Sequence, residues 1–73
     1  MIKKRTEISI YSDYITLGQF LKLADIIQTG GEAKTFLVEH EIKIDGEFDN
    51  RRGRKLRGGE IIEILGQTYE ITR

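Results

Sequence analysis

Between Asn50 and Gly59 the chain carries Arg51, Arg52, Arg54, Lys55 and Arg57, with no acid among them. Five cations inside seven residues form a dense site for anions. Each can neutralise a phosphate and release the counterion held there. Four of the five are arginine, whose planar fork pairs with two phosphate oxygens at once and stacks on flat rings. Gly53 lets the row of side chains turn, or lets backbone approach a ligand closely. Engagement of all five with duplex phosphates would give a log–log salt slope of about −4. The plain alternative is a solvated loop whose charge only aids solubility.

Further positions could extend such a site. Gly30-Gly31 opens a predicted second helix, where unpaired backbone N–H groups attract anions. Thr29, Gly31 and Lys34 belong to that corner, and Lys22 lies nearby if the helices fold back. Glu32 argues for a corner that serves only as a cap, because a carboxylate itself satisfies the helix dipole. Lys43 faces away from Ile42 and Ile44 and could flank the basic surface. Tyr11, Tyr14, Phe48 and Tyr69 raise base stacking. Phe48, beside the basic segment, is the one to test.

Other chemistry finds no constellation. His40 is the sole histidine, and its plain reading is a helix-terminal residue suited to the dipole. Ser9, Ser12 and Asp13 have no second histidine with which to build a triad. Asp45 and Glu47 flank a turn and read as edge charges. There is no cysteine, hence no disulfide framework and no thiolate zinc site. We expect no metal, no cofactor, no small-molecule substrate and no enzymatic activity.

The elements that must hold these residues are compressed. Seventy-three residues make one domain, here 1–73, with a core of Leu, Ile, Val and Phe. The formal charge is zero, from twelve basic and twelve acidic residues. Residues 50–59 carry +5, so the remainder stands at −5. Such separation reads as a docking surface for an anion. No apolar stretch approaches the roughly 20 residues of a membrane span. The basic start, Met1 to Thr6, leads into no apolar signal core. A cytoplasmic location is expected.

Thr6 to Tyr11 alternate as a strand. Thr16-Leu17-Gly18-Gln19 fits a capping box. Leu17, Phe20, Leu21, Ala24 and Ile27 then share one helical face, predicting a helix that ends at Thr29-Gly30. A second helix is predicted from Gly31 to about His40, on Ala33, Phe36, Leu37 and His40, with Gly30-Gly31 as the link. Ile42 and Ile44 open a hairpin whose turn is Asp45-Gly46 and whose return starts at Glu47-Phe48. The basic segment follows as a loop or irregular edge. Gly58-Gly59 turns, Ile61 to Leu65 read as a buried strand, Gly66-Gln67 as a turn, and Tyr69 and Ile71 as a last strand. The order β-α-α-β-β-β-β argues for the α+β class.

Five pieces in series resemble a known module. They are Leu17-Gly18-Gln19-Phe20-Leu21-Lys22, Thr29-Gly30-Gly31-Glu32-Ala33-Lys34, Ile42-Lys43-Ile44-Asp45-Gly46-Glu47, Arg52-Gly53-Arg54-Lys55-Leu56 and Gly58-Gly59-Glu60-Ile61-Ile62-Glu63-Ile64. Together they resemble the RNA-binding domain first described in small-subunit ribosomal protein S-four, the αL motif, over a core of residues 16–65. The whole chain is similar to the short stand-alone bacterial members of the YaaA or YbcJ-like kind. Many relatives begin the first helix with Arg-Leu-Asp, where this chain has Thr16-Leu17-Gly18.

The resemblance implies two short helices packed on a small, mostly antiparallel sheet. It also implies non-catalytic binding of structured RNA, ribosomal or transfer, with a ribosomal subunit or its precursor as a partner, in ribosome assembly or translation. Two other readings stay open. One is a β-grasp module of sulfur-carrier or ligand-binding type, although the end Glu70-Ile71-Thr72-Arg73 lacks the terminal Gly-Gly a sulfur carrier activates. The other is a protein–protein adaptor whose basic loop docks on an acidic partner.

Overall fold

The computed structural model describes residues 5–73, so the basic start at Met1 to Lys4 lies outside the described residues. The elements are β1 (Arg5–Ser9), β2 (Ile15–Thr16), α1 (Leu17–Leu23), a 3-10 turn (Gly30–Glu32), α2 (Ala33–Glu39), β3 (Ile42–Ile44), β4 (Glu47–Phe48), β5 (Lys55–Leu56), β6 (Ile61–Ile64) and β7 (Gln67–Thr72). Two short helices and a mostly antiparallel sheet give the α+β class.

The main sheet has the order β1-β7-β6-β3-β4, while β2 and β5 form a separate two-stranded ribbon. Among the described residues only β1 and β7 run parallel, with Ile8 beside Ile71. Pairs such as Ile42–Ile64 and Ile44–Ile62 place isoleucines next to one another on one sheet face. Side chains alternate across a pleated strand, so that face is apolar, while Lys43 and Glu63 project from the other. Leu17, Phe20 and Leu21 of α1, Ala33 and Leu37 of α2, and Leu56 of β5 join the isoleucines in one buried cluster. Phe20 meets Tyr69 edge-on at 5.3 Å between ring centres.

The first helix is shorter than its apolar spacing predicts. It stops at Leu23, and Asp25 turns left-handed at φ 60°. The Asp25 N–H donates to the Lys22 carbonyl and the Ile26 N–H to the Leu21 carbonyl. These two bonds are a Schellman closure, with Asp25 where glycine is usual. Ile27 is still buried, delivered by a loop. The helix link is therefore residues 24–29, and Gly30-Gly31 falls within the 3-10 turn that opens α2.

Two turns share one geometry. Asp45 and Gly46 have φ 53° and 86°, and Leu65 and Gly66 have φ 52° and 73°. Positive φ at both central residues fits the hairpin turn that matches strand twist. The last turn is thus Leu65-Gly66 rather than Gly66-Gln67, because Ile64 pairs with Gln67. Leu65 consequently leaves the predicted buried strand and is exposed.

Candidate nucleic-acid interface

The basic segment is fastened to the start of α1. A helix begins with N–H groups that have no partner inside it. Here the Leu17 N–H donates to the Arg54 carbonyl at 2.8 Å and the Gly18 N–H to the Arg52 carbonyl at 3.0 Å. The third, on Gln19, donates to the Thr16 hydroxyl, and the Gln19 side-chain oxygen accepts from the Thr16 N–H. The capping box expected at Thr16 is present. Loop carbonyls and cap together occupy the N–H groups of residues 17–19, so these are not available to an anion.

Arg52 continues over the same turn of α1. A Cβ placed on Gly18 would lie 2.9 Å from the Arg52 Cγ. The missing side chain at position 18 makes the room Arg52 occupies. An arginine thus reaches the start of α1 from the loop, where the helix itself presents Thr16.

Asp49, just ahead of the basic run, decides the fate of two arginines. Its carboxylate accepts from the Arg51 N–H, Nε and Nη2 and from the Arg54 Nη1, at 2.7 to 3.1 Å. The side chain of Asp49 is 9% exposed. Hydrogen bonding by the Arg51 guanidinium, with further bonds from the Arg51 amide and Arg54, holds its carboxyl well below the usual carboxylate range against the opposing effect of burial. The same bonds raise the Arg51 pKa. Not all five cations are unpaired, as the run read alone would have them: Arg51, Arg54 and Asp49 make one cluster of net +1.

Arg52, Lys55 and Arg57 take no part in ion pairs among the described residues. In the ribbon, Ile15 pairs with Leu56 and Thr16 with Lys55. Ile15 and Leu56 are buried, so alternation turns Tyr14, Lys55 and Arg57 outward. The Lys55 Nζ lies 4.9 Å from the centre of the Tyr14 ring and the Arg57 guanidinium carbon 5.6 Å, both cation–π distances. Glu60 accepts the N–H groups of Arg57 and Gly58, closing the turn behind the ribbon.

A groove of about 370 Å³ joins loop and helices, with Arg52 and Gly53 on one wall and Lys22, Gly30 and Ala33 on others. A second concavity of about 330 Å³ is lined by Tyr14, Leu23, Gln19 and Lys22. The two share Gln19 and Lys22. Arg52, Lys22 and the outward ribbon face therefore border one surface.

The remaining candidates are dispersed. Thr29 is engaged with Glu32, whose carboxylate accepts the N–H groups of Gln28 and Thr29 and the Thr29 hydroxyl. Those bonds hold the Glu32 carboxyl below its ordinary value. Gly31 lines a different cavity, with Glu32 and Glu39. Lys34 is exposed at the start of α2 and does not line the Arg52 groove. Lys43 is not brought to this surface. It sits in a third groove with Glu41 and Glu63, its ammonium 5.0 Å from the Phe48 ring centre. Phe48 is thus the partner of Lys43, and Tyr14 is the aromatic that loop cations approach. His40 caps α2 and stacks on Phe36. Among the described residues no group of three or more His, Cys, Asp or Glu could hold a metal ion, and no helix is long and apolar enough to cross a membrane.

Residues 8–72 match the model of the S4 domain. The chain belongs to the S4 domain family. The match extends the resemblance on residues 16–65 into β1 and β7. This S4 domain is 64% identical over 59 residues to a Bacillus subtilis (strain 168) protein named probable ribosome maturation protein RlbA, covering 81% of this chain and 83% of that one. It is 26% identical over 58 residues to YbcJ of Escherichia coli (strain K12), a candidate RNA-binding protein by its name, covering 80% and 83% of the two chains.

Asp49 escaped the sequence reading of this S4 domain although it had a signal, an acid two positions before Arg51. Tyr14 stood among the stacking candidates but behind Phe48, since its neighbours Lys55 and Arg57 lie over forty positions away.

Proposed function

We propose that this S4 domain binds structured RNA without catalysing a reaction on it. Ribosomal or transfer RNA is the target class, and ribosome assembly or translation in the cytoplasm is the setting. The contacts come from Arg52, Lys55, Arg57 and Lys22. Arg51 and Arg54 serve mainly to shape the loop through Asp49, while Gly30 lets a phosphate approach the groove wall. Lys34 contributes only long-range attraction, and Thr29, Gly31 and Lys43 stand outside the contact surface.

The observation that carries this reading is the groove shared by Arg52, Gly53, Lys22 and Gly30, joined through Lys22 to the Lys55–Arg57–Tyr14 patch. A folded RNA presents phosphates at fixed spacing, and contacts to them position a protein without reading sequence. The names of the relatives from Bacillus subtilis and Escherichia coli point the same way.

Crosslinking in cells followed by sequencing of the attached RNA tests the target. The expected result is enrichment of one ribosomal or transfer RNA over messenger RNA. Recovery of RNA in proportion to cellular abundance, unchanged by charge reversal at Arg52 and Lys55, would set this function aside. The adaptor reading predicts association that survives nuclease treatment, and the present one predicts its loss.

A further inference from the structure

The contact between the ribbon and its cations carries a more specific statement about the RNA, resting on the binding function proposed above. Tyr14 and Leu23 are exposed by 39% and 58%. Tyr14 and Leu23 line the same concavity, of about 330 Å³, whose other walls are Ser12, Ile15, Gln19 and Lys22. Single exposed apolar side chains are ordinary, but these two share the wall of one concavity next to cations and offer room for a flat apolar group. The cations here fix its character: Lys55 and Arg57 sit at the Tyr14 ring, and Lys22 is on the rim.

A phosphate backbone alone needs the cations, with the Tyr14 ring only steadying Lys55 and Arg57, and has no use for an exposed Leu23 beside them. A paired helix hides its bases within the stack. An unpaired nucleotide supplies both halves, a flat apolar base and an anionic phosphate. Bases splayed from loops and bulges stack on aromatic side chains and on guanidinium planes. We infer that the concavity at Tyr14 and Leu23 receives one unpaired nucleobase, with its flanking phosphates held by Lys55, Arg57 and Lys22. The preferred RNA is then a helix interrupted by a bulge or ending in a loop. The duplex part runs along the Arg52 groove and the extruded base enters beside Tyr14.

The contacts at Tyr14 are made by its ring. Stacking needs only the ring, so Tyr14→Phe retains the preference for an unpaired base and Tyr14→Leu loses it. Tyr14 is an exposed residue beside the ribbon, and its exchange spares the buried pair Ile15 and Leu56.

The test compares two RNA hairpins, fully paired and with a single-nucleotide bulge carrying 4-thiouridine, by affinity and by photocrosslinking with mass spectrometry. Wild type and Tyr14→Phe should bind the bulged hairpin at least about fivefold more tightly than the paired one, as expected for one stacked base. Tyr14→Leu should bind both alike, with crosslinks on the wild type at Tyr14 or Leu23. A Tyr14→Leu protein that keeps the bulge preference, or crosslinks confined to the α2 side, overturns the inference and leaves RNA binding standing. Absence of salt-dependent binding to either hairpin overturns the RNA function itself. Leu23→Lys is the second probe: it adds charge while removing the apolar wall, and should weaken the bulge preference without weakening binding to the paired hairpin.

Discussion

Replacing Asp49 with asparagine separates shape from charge at the basic loop. The carboxylate holds four donors from Arg51 and Arg54, and asparagine can satisfy only part of that set. Loss of charge-assisted bonds at a mostly covered site should cost about 1–2 kcal/mol, read as a lower melting temperature. The two released guanidiniums should steepen the salt dependence of RNA binding by about one to two units of slope. Protonation does the same to Asp49 as substitution. A carboxyl whose folded pKa is depressed stabilises fully above its unfolded value of about 4. That contribution drains away as pH falls further, towards the folded value. Wild type and Asp49→Asn should therefore differ in melting temperature at pH 7 and converge in strong acid, where a constant gap would exclude the pairing. Gly18→Ala addresses Arg52. Alanine favours helix by about 0.5–1 kcal/mol over glycine, but its Cβ would press within 2.9 Å of the Arg52 Cγ. Stability should change little while RNA affinity drops several-fold, close to the effect of Arg52→Ala. Wild-type affinity in Gly18→Ala would remove Arg52 from the contact surface.

At the scale of elements, the junction of β2, α1 and the loop is the device that aims the cations. Thr16→Ala deletes one side of the capping box and should destabilise the protein by about 1 kcal/mol. Its signature is local: faster hydrogen exchange at Leu17 and Gly18, the amides that bond the loop carbonyls, and a modest loss of RNA affinity through a looser loop. Unchanged exchange there would mean the loop holds the helix start without the cap. The same junction explains what could and could not be read from the sequence. Regular periods were legible: alternation at Ile42–Ile44 and Ile61–Ile64, helical spacing from Leu17 to Leu21, and the turn chemistry of Asp45-Gly46. The two-residue ribbon of Ile15–Thr16 with Lys55–Leu56 is too short to carry a period, since its partners are distant in sequence. The end of α1 was missed because Asp25 takes the left-handed conformation usually given to glycine. Leu65 misled in the same way, an apolar residue spent on a turn.

Across the whole molecule, charge separation was visible in the composition and its direction was not. The run from Arg51 to Arg57 gave the location of positive charge, yet which cations remain unpaired depends on Asp49, and which share a surface depends on the fold. Lys22 and Arg52 meet across one groove, whereas Lys43 shares its groove with two glutamates. The family resemblance was legible on residues 16–65 because its five pieces lie in order. In β1 and β7 no such piece stood out, because those strands hold only alternation, and there the likeness rested on the chain as a whole. Four cations, Lys22, Arg52, Lys55 and Arg57, make up the proposed phosphate-contacting surface. The most direct measurement is the dependence of RNA affinity on salt, for wild type and for a variant with all four changed to glutamine. The expected log–log slope is about −3 to −4 for wild type and near zero for the variant. A wild-type slope near zero, or equal slopes for the two proteins, would contradict it.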